Sequence, residues 1–138
     1  MLVVEELKQN LITAVQSGAF PASGVTLSNA IRNYVTAKGT PNPPTIGFSL
    51  GPCSGSGWTA LMAKGGSSGV AEYIINTAIA TEFASSTKII PGPTGVMTVP
   101  MVFNTSSQVK NLSEITDYNE VWEAIATAII EFFKPEIK

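Results

Sequence analysis

The chain has 138 residues, enough for one compact domain, and 44% of them are hydrophobic, which is enough to fill a core. Only 13% are charged, roughly half the share of an average soluble protein, and the net charge is −2. Without a basic block the composition argues against nucleic acid as a partner, and no apolar run reaches the roughly 18 residues of a membrane span. Because Glu5 and Glu6 stand where a signal peptide carries positive charge, we expect synthesis in the cytoplasm.

Helical spacing of apolar residues predicts two amphipathic helices in the first forty residues. The first, over residues 2–18, stops near Gly18 and has a face made of Val4, Leu7, Leu11 and Val15. After a break at 21–24, the second runs over residues 25–39 and ends at Gly39. Its apolar face consists of Leu27, Ala30, Ile31, Tyr34 and Val35.

The middle of the chain is rich in Pro and Gly, which predicts loops around short strands. A loop at 39–57 holds a strand at about 45–50, and residues 58–64 form a short helix. A longer helix follows at 70–83. Two strands then flank a Pro-Gly-Pro loop at 91–95, and Pro100 favours an edge strand or a bulge.

The last helix has the clearest signals. Thr116 or Asp117 is its N-cap, acidic residues occupy its first turns, and Pro135 ends it. The predicted fold is therefore α+β, with about four helices packed with a small, mainly antiparallel sheet in a single domain over residues 1–138.

An internal duplication is one interpretation of the chain. A shift of 49 residues overlays 34–50 on 83–99, so that Tyr34 meets Phe83 and Phe48 meets Met97. A duplication would place the two strand regions side by side in one sheet. The alternative is chance recurrence of short apolar patterns.

The last helix is apolar on two sides, so it needs two neighbours. One stripe comprises Tyr118, Val121, Trp122, Ile125, Ile129 and Phe132, and the second comprises Ala126, Ile130 and Phe133. Either the helix lies in the middle of its own domain, or its second face meets another subunit. On the second interpretation the interface residues are Trp58, Trp122, Ile130 and Phe133.

The stretch "GPCSGSGWTA" at 51–60 invites three chemical interpretations. The pattern around Cys53 is that of a nucleophile elbow, but the chain has no histidine to act as its base. Gly55, Gly57 and Ala60 fit a dinucleotide fingerprint, yet the acidic residues that follow fall inside a predicted helix. A phosphate loop needs a lysine that this stretch lacks. We expect a structural turn, with Trp58 as an anchor.

No other group of residues predicts catalysis. The carboxylates are scattered, and without histidine neither a Cys/His zinc site nor a general base of the usual kind can be built. We therefore expect no enzyme activity, no cofactor and no metal.

In pattern the chain resembles small bacteriophage virion proteins along most of its length. The features that carry the resemblance are the "VVEELKQNLITAV" and "LSNAIRNYVTA" helices, the Pro/Thr/Gly-rich stretch after them, the "NTAIATEF" helix and the second Pro-Gly turn. The resemblance implies a non-enzymatic structural protein of a tail, neck or baseplate, located in the virion and in contact with copies of itself and other virion proteins.

The loops at 40–45 and 91–95 would be contact arms. No nucleic acid, membrane or small-molecule substrate is expected as a partner. The alternatives are a capsid decoration protein, a small-ligand or nucleotide-binding domain using the loop at 51–60, and a cytosolic hydrolase using Cys53.

Overall fold

The computed structural model describes residues 1–17, 23–59, 72–104 and 117–138. Within them lie four α-helices, α1 (Val4–Ser17), α2 (Ser23–Lys38), α3 (Glu72–Glu82) and α4 (Tyr118–Phe133). The strands are β1 (Gly47–Ser49), β2 (Thr87–Gly92) and β3 (Gly95–Pro100), and a single 3₁₀ turn spans Ser56–Trp58. The predicted α+β class, with four helices and an antiparallel sheet, is confirmed.

The described helix ends lie within about two residues of the predicted ones. Helix α2 begins at Ser23, two residues earlier than predicted, so half of the proposed break at 21–24 belongs to its first turn. The stop at Gly18 and most of the short helix at 58–64 lie outside the described residues. Asp117 is the N-cap of α4, and its carboxylate accepts hydrogen bonds from the backbone N–H groups of Asn119 and Glu120, at 2.7 and 3.4 Å.

Helix α4 lies at the centre of the helical layer, because α1 packs on one part of its surface and α3 on another. The described side chains of its two apolar stripes are consequently buried by the chain itself, with Ile130 partly so. Trp122 is 1% exposed and Phe133 is fully buried. Phe133 also meets the rings of Phe83 and Phe103 edge-on, with centroids 5.1 and 5.5 Å apart. The interpretation that places this helix within its own domain therefore holds.

The expectation that these aromatic residues form an interface is wrong. Trp58, like Phe133, is fully buried against residues of the same chain, and neither it nor Trp122 leaves surface for a partner. Periodicity revealed a helix with two apolar faces, but α1 and α3 supply both neighbours. Ile130 is partly buried and packs against the same core.

The three strands form one antiparallel sheet in the order β1-β2-β3. Strands β2 and β3 make a hairpin whose last pair is Gly92 with Gly95, as the Pro-Gly turn predicted. Pro100 ends the edge strand β3, where its missing N–H disturbs no ladder. Among the described residues, the strands make few backbone contacts with the helices, so most of the sheet lies outside the helical body.

The overlay at a shift of 49 does not extend to the strand pairing. It matches β1 to β3, and these lie in one sheet as expected, but β2 separates them. Residues 38–43, which the shift places on β2, form no strand, and Pro41 instead bridges to Ile137.

The first part of the loop at 40–45 is hydrogen-bonded to the C-terminal end of the chain. Thr40 and Lys138 exchange two backbone hydrogen bonds of 2.7 and 2.9 Å, and the Asn42 N–H donates to the Glu136 carbonyl at 2.9 Å. These contacts tie the first part of the expected contact arm at 40–45 to the end of the same chain.

Truncating Phe133 tests the central position of α4. Phe133→Ala should lower the free energy of unfolding by about 3–5 kcal/mol, because it opens a cavity among well-packed rings. Ile130→Ala, on the same helix but at a partly buried position, should cost clearly less. Urea unfolding at low protein concentration measures both, and equal small losses would contradict the assignment.

Candidate functional site

The glycine-rich stretch folds around a carboxylate of its own chain. Glu82, the last residue of α3, is fully buried. One of its oxygens, Oε1, accepts hydrogen bonds from the Gly55 N–H at 2.7 Å and the Ser28 hydroxyl at 2.5 Å. The other, Oε2, accepts from the Gly57 N–H at 2.8 Å and, at 3.4 Å, from the Ser54 hydroxyl. We call Glu82 and these four donors the Glu82 cradle.

Two glycines are required by the geometry of the Glu82 cradle. Gly55 has a φ of +86°, which residues with a Cβ rarely adopt, and a Cβ there would lie 2.7 Å from the backbone nitrogen of Val25. A Cβ on Gly57 would lie 2.7 Å from the carbonyl oxygen of Ala78 and 3.0 Å from a Glu82 oxygen. The glycines thus let the loop approach α2 and α3 closely.

Further hydrogen bonds fix the loop on both sides of the cradle. The buried indole N–H of Trp58 donates to the Ser28 oxygen at 2.6 Å, which orients the hydroxyl toward Glu82. The backbone N–H of Cys53 donates to the carbonyl of Glu82 at 2.9 Å, and the Ser85 N–H donates to Gly51 at 3.0 Å. The stretch turns a corner, as expected, and it does so by binding the end of α3.

The Glu82 cradle leaves the loop without a free anion site. Backbone N–H groups of a glycine loop are the donors that a phosphate would use. Here the N–H groups of Gly55 and Gly57 already bind a carboxylate. The geometry therefore gives no support to a nucleotide site built on this loop.

Cys53 has the surroundings of a structural thiol. Its side chain is buried, and burial raises the pKa of the thiol, with the nearby Glu82 carboxylate acting in the same direction and Arg32 opposing it. A nucleophilic cysteine needs the opposite shift. Nothing in the geometry of Cys53 supports a hydrolase.

Exposed apolar side chains gather on the sheet, a feature that the sequence analysis missed. Val96 is 67% exposed, Ile46 61%, and Met97 and Ile89 are also exposed. Val102, just after β3, is 70% exposed. We call these five residues the sheet surface. The sequence signal for this surface is a pair of apolar strands with almost no charge on either side of the Pro-Gly-Pro loop at 91–95.

Two contacts anchor the sheet to the C-terminal part of the chain. Lys88 of β2 places its Nζ 2.7 and 2.9 Å from the two carboxylate oxygens of Glu136. After β3, Phe103 stacks on Phe132 of α4, with ring centroids 4.3 Å apart. Lys88 is the only charged residue in the three described strands, so the remainder of the sheet presents neutral side chains.

Neither a metal site nor a membrane-spanning helix occurs in the described part of the chain. Its His, Cys, Asp and Glu residues nowhere form a group that could hold a metal ion. Among its helices, none combines the length and apolarity that crossing a membrane requires.

Comparison with known proteins adds no relative. No family model matches the sequence, and neither the curated proteins nor the solved structures contain a match.

Replacing the buried carboxylate tests the Glu82 cradle. Glu82→Gln should lower the free energy of unfolding by about 2–4 kcal/mol, because either orientation of the amide turns an NH₂ group toward a backbone donor. Glu123→Gln, at an exposed position of α4, should change it by less than about 0.5 kcal/mol. Chemical denaturation of both variants measures this, and a neutral Glu82→Gln would refute the cradle.

Proposed function

We propose that the protein is a non-enzymatic structural subunit of a bacteriophage particle, of the tail, neck or baseplate type, and that it makes its contacts through the sheet surface. The observation that carries the proposal is the contrast between a closed core and an exposed apolar sheet. Trp58, Trp122 and Phe133 are buried within the chain, whereas Val96 and Ile46 are more than half exposed.

Exposed apolar area of this kind marks a contact site. Single exposed apolar residues are common on soluble proteins, but a contiguous group with few charges around it favours burial against a partner. On the sheet, Ile89 and Val96 are diagonal neighbours on one face, whereas Met97 projects from the opposite face. Both faces of the β2–β3 hairpin therefore expose apolar side chains, and Lys88 is the only charged residue among the described strands. The charged content of 13% supports the same conclusion for the whole chain.

The position of the sheet suits a subunit of an assembly. It extends from the helical body and is anchored by Lys88 and Glu136, so a partner can reach it without opening the core. The resemblance to small virion proteins supplies the particle, and the virion is the proposed location. The loop gives the ligand-binding alternative no support, because the N–H groups of Gly55 and Gly57 already donate to Glu82.

The native mass of the purified protein tests this proposal. Light scattering behind a sizing column, over a concentration series, should show a defined oligomer that forms as the concentration rises. Val96→Lys should shift the equilibrium toward the monomer, because it places a charge in the apolar contact, whereas Glu123→Lys on an exposed helix face should leave it unchanged. A monomer at every concentration that binds no hydrophobic dye would contradict the proposal.

A further inference from the structure

Strand β3 has an outer edge whose backbone groups point away from its own sheet. The N–H of Met101 donates to the carbonyl of Ser86 at 3.1 Å, which fixes the alternation of the ladder between β2 and β3. In this register Met97 and Val99 direct their backbone groups toward β2. Val96 and Thr98 consequently direct theirs outward, and among the described residues no partner pairs with that edge.

The edge lacks most of the devices that protect natural sheet edges. Lysines, inward-pointing charges and bulges usually prevent edge-to-edge pairing. The six residues of β3 carry no charge, and they include a proline only at the last position, Pro100. Val96 and Thr98 are exposed, so an incoming strand can reach them.

We infer that β3 pairs antiparallel with β3 of a second copy of this chain, forming a continuous sheet across a two-fold axis. This inference rests on the proposed function and names its partner. The edge is complementary to itself. The backbone N–H and C=O of Val96 in one copy bond to the C=O and N–H of Thr98 in the other, and the two-fold axis repeats the same pair with the copies exchanged.

Pro100 excludes one alternative register of this pairing. A shift that placed Val96 opposite Pro100 would leave the Val96 carbonyl facing a residue without an N–H. With Val96 opposite Thr98, every outward donor and acceptor of these two residues is satisfied and Pro100 is not used. The two-fold axis then passes beside Met97, which faces its own copy in a non-hydrogen-bonded pair.

The side chains agree with this register. Val96 and Thr98 are both β-branched, and β-branched side chains pair well across neighbouring strands. No like charges meet in this pairing. Ile89 of β2 pairs directly with Thr98 of β3, so Ile89 and the partner copy's Val96 would lie on either side of Thr98 on the same face.

Site-specific disulfide formation tests the pairing and its register. In a non-hydrogen-bonded pair the Cα atoms lie about 4.5 Å apart, within the range that a disulfide spans. Met97→Cys should therefore give a covalent dimer under mild oxidation. Val96→Cys is the matched control, because Val96 is more exposed, at 67% against 44%, but in this register it lies about 8 Å or more from its copy. The wild-type protein controls for the buried Cys53.

A second variant tests the backbone hydrogen bonds. Thr98→Pro removes an outward N–H without touching the bonds to β2, and should weaken self-association about tenfold or more, because one hydrogen bond is lost on each side of the axis. Thr98→Val keeps the N–H and should associate as the wild type does.

The outcomes separate this inference from the proposed function. Cross-linking of Met97→Cys but not Val96→Cys, together with weakening by Thr98→Pro, supports the pairing. An oligomer that persists in Thr98→Pro and is not cross-linked through Met97→Cys overturns the pairing and leaves the assembly function standing. A wild-type protein that stays monomeric throughout overturns both.

Discussion

The rest of the structure depends on the hydrogen bonds that the buried carboxylate of Glu82 accepts. Removing a charge from water costs several kcal/mol unless hydrogen bonds replace the lost solvation. The chain meets this demand with backbone N–H groups from Gly55 and Gly57 and a hydroxyl from Ser28, so one side chain joins α2, α3 and the glycine loop. Trp58 is then held in the core through its hydrogen bond to Ser28. A stretch with the composition of a ligand loop is thereby used for folding.

Closing the core in this way determines which apolar residues are left outside. Trp122, Phe132 and Phe133 of α4 pack within the chain, as does Trp58 of the 3₁₀ turn, while Val96 and Ile46 stay exposed on the sheet. Because the ion pair of Lys88 with Glu136 fixes the base of the sheet, its outer part is presented as a preformed surface. Preformed surfaces lose less conformational entropy on binding, which suits a subunit that assembles in many copies.

Local sequence patterns were sufficient for the elements and insufficient for the site. Periodicity located the helices, Asp117 marked the start of α4, and the Pro-Gly turn predicted the β2–β3 hairpin, since each signal lies within a few residues. The Glu82 cradle joins residues 25 to 54 positions apart, and a glutamate inside a helical pattern looks the same whether it is solvated or buried. Apolar periodicity likewise indicates that α4 has two covered faces but not what covers them, so it leaves open whether Trp122 and Phe133 lie in the core or at an interface. The exposure of Val96 depends on where the sheet sits, which no local pattern records.

The most direct test of the central claim, that the outer edge of β3 is the contact between copies, is amide hydrogen exchange followed residue by residue in dilute and concentrated samples. The N–H groups of Met97 and Val99 bond to β2 and should be protected in both. Those of Val96 and Thr98 should exchange freely when the protein is dilute and become protected as it concentrates. Rapid exchange of Val96 and Thr98 in a sample that light scattering shows to be oligomeric would contradict the account.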